Sequence, residues 1–364
     1  MNAKLRTRAA ALLAALALAG CVFSPRPHDD GDGYLQRNLV SDSGIVPAEH
    51  IDPNLVNGWG VAFNPFGVVW VSANGTGTST LYDGVGNPQT LVVTIPPAVT
   101  GATGNPTGIV FYGGPGFIVR QGALAGPSRF IFASEDGGIS GWAPNVNLTN
   151  AIRVVNNPGA TYKGLAVSAG GTRALLYASD FRNNRIDVFD TNFAPVALPG
   201  RPFRDPHLPS GYAPFGLQAI NGDISVTYAK QNANRTGHVA GFAHGFISVF
   251  TPNGEFVRRF SSGGVLNAPW GIVQAPASFG RFGNRILVSN HGDGAINAFD
   301  VDSGLFVGRL RSRHHRPIEI DGLWGIAFGN GLSNQPTNTL FFTAGPDDGR
   351  RGLYGRLDVD TSGH

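Results

Sequence analysis

From Leu39 onward, short apolar runs alternate with Gly, Pro, Asn and Asp, and one pattern recurs six times. A residue, most often aromatic, precedes Gly, and a short apolar run follows. The first three copies are Trp59-Gly60-Val61-Ala62-Phe63, Thr107-Gly108-Ile109-Val110-Phe111 and Lys163-Gly164-Leu165-Ala166-Val167. The last three are Phe215-Gly216-Leu217, Trp270-Gly271-Ile272-Val273 and Trp324-Gly325-Ile326-Ala327-Phe328. The glycines lie 48, 56, 52, 55 and 54 residues apart. A second run follows each (VVWVSA, RFIFAS, ALLYAS, ISVTYA, RILVSN, TLFFTA), and then a third (STLYDG, ISGWAP, RIDVFD, FISVFT, AINAFD, GLYGRL). The first five repeats add a fourth: TLVVTI, AIRVVN, the looser PVALPG, EFVRRF and FVGRLR. Runs this short between turn residues predict strands. Four of them per repeat at this period predict radial blades.

The sixth repeat lacks its fourth run, while Leu39-Val40-Ser41 stands unassigned ahead of the first. This N-terminal strand is expected to complete blade six, closing the ring and covering a sheet edge. The expected fold is all-β: a six-bladed propeller of four-stranded blades over residues 37–359, with 360–364 as a tail. Composition agrees. The 52 Gly and 25 Pro are costly inside helices, which excludes a helical bundle, a coiled coil and a helical solenoid.

The N-terminus reads differently. Lys4, Arg6 and Arg8 precede an 11-residue apolar stretch, Ala9 to Ala19, that ends in Leu18-Ala19-Gly20-Cys21. The stretch is too short for a bilayer span and fits the core of a signal peptide. Its end resembles the bacterial lipobox, in which the Cys takes a lipid and becomes the new N-terminus. Residues 1–20 are therefore expected to be a lipoprotein signal peptide and Cys21 the lipidation site. Cys21 is the single Cys of the chain, which excludes an intramolecular disulfide. Residues 21–36 read as a flexible tether. No Asp follows Cys21, which by the lipoprotein rule points to the outer membrane or cell envelope.

Three of the 27 Lys and Arg residues fall in the first twenty, and the other 24 balance the 24 Asp and Glu. A nucleic-acid binder keeps a basic surplus, so that class loses its support.

The segment SDFRNNRIDVFD (179–190) resembles the core of an NHL repeat. Residues 38–355 resemble an uncharacterised bacterial family of exported NHL-like propellers. NLVSD (38–42), DPNLVNGWGVAF (52–63), NGTGTSTLYDG (74–84), YAPFGLQ (212–218), NAPWGI (267–272), DGLWGIAFGNG (321–331) and LFFTAGPDD (340–348) carry that resemblance. It implies the fold and export, and no agreed chemistry.

In a propeller, loops leading into the first strands and loops after the second strands share one face around the axis, where function concentrates. After residue 20 the chain has 22 Arg but only two Lys, Lys163 and Lys230, both assigned to that face. With Tyr162, Arg182 and His291 they form a candidate ligand site, suited to an anionic or carbonyl ligand. The alternative is that both Lys sit in structural ion pairs. The second-strand ends Asn74, Glu135, Asp180 and Asn290 form a candidate metal site, since converging oxygen ligands suit Ca²⁺. The alternative is that they cap strands and bond neighbouring blades. Trp59, Trp270 and Trp324 are expected to wedge between blades as packing, and Gln231 to His244 to form the longest loop on that face.

No HExxH, GxSxG or phosphate-loop pattern is present. The expected function is that of an envelope lipoprotein, a monomer, that binds a small molecule or an envelope protein. The alternative is a divalent-cation-dependent hydrolase of the lactonase type, with its site at the central channel.

Overall fold

A computed structural model describes residues 33–168 and 174–361. The expected signal peptide, Cys21 and most of the expected tether lie outside the described residues. The chain divides into Met1–Gly31 and Asp32–His364, and the second unit carries the repeats.

Every repeat forms one antiparallel sheet whose strands follow chain order. The first strands are Gly58–Phe63, Pro106–Phe111, Tyr162–Val167, Tyr212–Ile220, Pro269–Gln274 and Leu323–Phe328. Each contacts the next, and the sixth returns to the first, so the ring closes with six blades. Blade three holds three paired strands, and its looser fourth run contributes only the Phe189–Pro195 bridge.

Closure falls to the N-terminal strand, as the missing fourth run predicts. Gly33–Ser41 pairs antiparallel with Leu353–Asp360, from Gly33 opposite Asp360 to Ser41 opposite Leu353. The strand is longer than its apolar core suggests, and Gly33 to Gln36 of the expected tether belong to it. His50–Ile51 adds a short parallel fifth strand.

The recurring Gly has a steric cause. A Cβ on Gly216 would sit 2.0 Å from the Trp270 carbonyl oxygen of the next blade, and one on Gly60 would sit 2.4 Å from that of Thr107. Side chains do not fit where blades approach this closely. Hydroxyls of the second strands latch the same carbonyls: Ser179 donates to Phe215 (2.9 Å), Thr227 to Trp270 (3.2 Å) and Ser289 to Trp324 (2.6 Å). Thr343 donates to the Trp59 carbonyl across the closing seam. Buried carbonyls and hydroxyls must be paired, so these bonds fix blade against blade. Within the glycine ring the axial space is about 40 Å³, room for about one water. Any site on the axis must lie at the mouth.

Most seams between blades are filled on the face opposite that mouth. Phe117 packs against Tyr112 and Phe193 between blades two and three. It follows the Gly113–Gly116 turn and leads into a hairpin, Ile118–Gln121 with Leu124–Pro127, that the sequence reading did not identify. Phe203 packs against Tyr177 and Phe250 between blades three and four. Tyr34 packs against Phe279 and Phe282 between five and six. Asn330 and Gln335 bond the Gly67 carbonyl between six and one.

Candidate functional site at the axial mouth

Strand alternation decides which side chains reach the axis. Tyr162 and Lys163 are neighbours on one strand and therefore point to opposite faces. Tyr162 turns into the apolar seam beside blade two, where its hydroxyl donates to Asp187 (2.7 Å) and burial raises its pKa. Lys163 turns to the mouth. Its ammonium pairs with Glu135 and lies 5.1 Å over the Trp59 ring.

A polar chain runs from that pair across the blades. Glu135 accepts from the Asn74 amide (3.1 Å), and Asn74 accepts from Asn57 (3.1 Å). Asn57, whose φ of 51° lies in the left-handed region that Asn tolerates, accepts from the Trp324 indole (3.1 Å). The Trp270 indole donates to the Lys163 carbonyl (2.9 Å) from across the axis.

The three tryptophans are not wedges between blades. They converge on the axis, because the residue before each inner Gly borders the mouth. Trp59 stacks on Trp324 with centroids 3.6 Å apart, and His291 stacks on Trp324 at 3.6 Å. Trp270 meets both indoles edge-on. Trp59 is 3% exposed, and its indole N–H is buried without a partner.

The loop after the second strand of blade four folds over this stack. It carries His238, which meets His291 edge-on at 4.7 Å and lies 5.3 Å from Phe215. Gly241 N–H donates to Asn267 (2.7 Å) and holds the loop down. Burial, and after it the Lys163 charge, lowers His238 to about 4. Burial, and after it His238, lowers His291 to about 3. Both imidazoles are neutral at pH 7. The Leu323 carbonyl, 3.2 Å from His291 Nδ1, fixes the proton on that nitrogen.

Of the expected residues, Lys163, Glu135, Asn74 and His291 come together here. The others do not. Lys230 follows Ala229, which packs in the axial aromatic cluster, so alternation turns Lys230 toward the seam that Tyr228 fills. It has no carboxylate partner among the described residues, and the expected Lys pair at the mouth does not form. Arg182 takes part only through its carbonyl, which accepts from Gln231 (3.4 Å).

The four candidate metal ligands do not converge. Asp180 is fully buried, accepts from Thr161 N–H (3.1 Å) and the Asn183 amide (2.6 Å), and pairs with Arg185 (3.2 Å). It ties down its own turn. Asn290 donates to the Val265 carbonyl (2.7 Å). Asn74 and Glu135 do meet, but the Lys163 ammonium already neutralises Glu135. No three His, Cys, Asp or Glu side chains gather as metal ligands among the described residues, and these donors do not fit a Ca²⁺ shell.

His238, Trp59, Trp324 and Asn57 are the site residues that sequence reasoning left out. The length of the 231–244 loop, with one His near its middle, was the available signal for His238.

No family model matches the chain. The uncharacterized protein R648 of Acanthamoeba polyphaga mimivirus is 36% identical over 333 residues, covering 89% of this chain and 80% of that one. The uncharacterized protein L690 of the same virus is 36% identical over 334 residues, covering 88% and 85%. Among solved structures, a protein of unknown function from Bacteroides thetaiotaomicron is similar with a TM-score of 0.55 at 10% identity, over 90% of this chain and 76% of that one. The PQQ-bound aldose sugar dehydrogenase of Streptomyces coelicolor is similar with a TM-score of 0.52 at 14% identity, over 90% and 98%. Identities this low speak for the fold and not for the chemistry. The relatives found by sequence are viral, so they lend no support to the bacterial origin that the sequence resemblance implied. By its match to most of both mimivirus chains, the protein belongs to the family of R648 and L690.

Proposed function

We propose that the protein is a ligand-binding module whose site is the axial mouth, and that a lipid on Cys21 holds it at the cell envelope. The carrying observation is the Lys163–Glu135 pair. The Lys163 side chain is only 6% exposed. A buried ion pair stabilises a fold little compared with apolar packing of the same volume, so its presence points to a site. Beside it stand an indole N–H without a partner and two neutral imidazoles. This donor-rich setting suits a ligand with acceptor atoms: a small carboxylate, phosphate or carbonyl compound. The 231–244 loop is the part that moves to admit it.

The test is a thermal-shift screen of the full chain against small carboxylates, phosphates and sugars. At least one compound is expected to raise the melting temperature of the parent, as a ligand that binds only the folded state must. Lys163→Met removes the charge and should abolish that shift. Trp59→Phe removes the N–H together with part of the ring and should weaken it. A panel that leaves the parent unmoved, or that shifts Lys163→Met as far as the parent, overturns the reading. The anchor rests on the Leu18-to-Cys21 motif alone. Cys21→Ser should abolish lipid attachment, and Cys21→Ser protein that still carries lipid and sediments with membranes overturns it.

A further inference from the structure

The seam between blades one and two lacks the filling that its neighbours have. Instead it opens, on the face opposite the axial mouth, into a cleft of about 770 Å³, in the size range of small-molecule sites. Its walls are rings. Trp70 stacks on Phe130 with centroids 4.1 Å apart, Trp142 lies against Trp70 at 4.6 Å, and Phe111 meets Phe130 edge-on at 5.4 Å. Phe66, 82% exposed, stands at the lip.

The polar groups in this cleft are few. The Trp142 indole donates to the Leu148 carbonyl (3.0 Å). The Trp70 ring lines the cleft, and its indole N–H makes no hydrogen bond among the described residues. Arg129 is the single charged residue lining the cleft. It is half-buried and donates to the Gly113 carbonyl (3.1 Å), and no carboxylate lies within ion-pair distance of it among the described residues. Arg129 has only backbone oxygens, and its fork of donors matches a carboxylate or sulfonate.

We propose that this cleft is a second binding site, for an aromatic anion, independent of the axial mouth. The ring system lies against Trp70, Phe130 and Trp142. The carboxylate or sulfonate meets Arg129, and an acceptor atom takes the Trp70 N–H.

The test uses 1-naphthoate as the probe and the full chain, with binding read by calorimetry. Saturable binding at one site per chain is expected. Arg129→Met should weaken it about ten-fold or more, the effect of losing one charged hydrogen bond. Leu91→Trp, which fills the cleft with a further ring, should abolish it. 1-Naphthalenemethanol, uncharged and of similar shape, should bind parent and Arg129→Met alike, and more weakly than the parent binds naphthoate. Naphthoate that does not saturate the parent overturns the proposal. So does affinity unchanged in Arg129→Met, or retained in Leu91→Trp, when circular dichroism shows both variants folded.

Discussion

The axial mouth and the cleft between blades one and two are both built of indole and phenyl rings, at opposite ends of the blades. At the mouth the rings close on one another, and every blade sends a side chain to the stack or to the polar chain beside it. Lys163 there has Glu135, and the backbone around it is latched from blade to blade. At the cleft two blades face each other across an open space, and its one cation has only backbone oxygens. The same ring chemistry therefore has two consequences. Where the glycine ring draws six blades together, aromatic groups pack and charge is buried in pairs. Where a seam lacks a loop to fill it, aromatic groups and charge remain facing solvent. The first arrangement ties recognition to stability, and the second leaves them separable.

The largest break in that contrast comes from Glu135→Leu. It strips the buried Lys163 of its counter-charge, a change expected to cost on the order of 3 kcal/mol, read as a lower urea midpoint. Glu135→Leu with Lys163→Met removes both charges and should recover most of the loss. A double variant as unstable as the single would show that the pair does not couple, and that the mouth is packed for shape alone. At the cleft, Arg129→Met has no charged partner to orphan and should leave the urea midpoint within the usual surface range of about ±0.5 kcal/mol.

What could be read from the chain follows the same division. The six inner glycines were legible because a steric rule holds them in place: the next blade leaves no room for a Cβ. Closure by the N-terminal strand was legible because a missing fourth run and an extra first run are complementary. The residues of the mouth were legible only in part. Lys163 and Lys230 look alike in sequence, but Lys163 lies on the first strand of its blade and Lys230 ends the second strand of the next, where alternation turns it to a seam. Asp180 carries the charge of a ligand, yet the amide of Asn183 three residues on captures it first. Asn57, Asn74, Glu135 and Lys163 form one chain of contacts over a hundred residues of sequence, and no local pattern marks it. The cleft left no signature, since it arises from filling that other seams have and this one lacks.

The finest separation of the two regions is by pH. His238 and His291 are held at about 4 and about 3, below the ordinary value near 6.5. Above pH 6.5 both the folded and the unfolded chain keep these imidazoles neutral, and the pair has no effect on stability. As pH falls from 6.5 toward 4, the unfolded chain takes up protons that the folded mouth refuses, so stability falls with pH. Each unit between solution and folded pKa is worth about 1.4 kcal/mol for a group wholly held neutral. The melting temperature should therefore drop between pH 6.5 and 4.5, and His238→Asn with His291→Asn should flatten that drop. No Asp, Glu or His lines the cleft. Naphthoate affinity should stay level between pH 7.5 and 5 while the mouth loosens. If affinity follows the melting temperature downward, the two regions are coupled through the blades, and the cleft cannot be treated as a separate site.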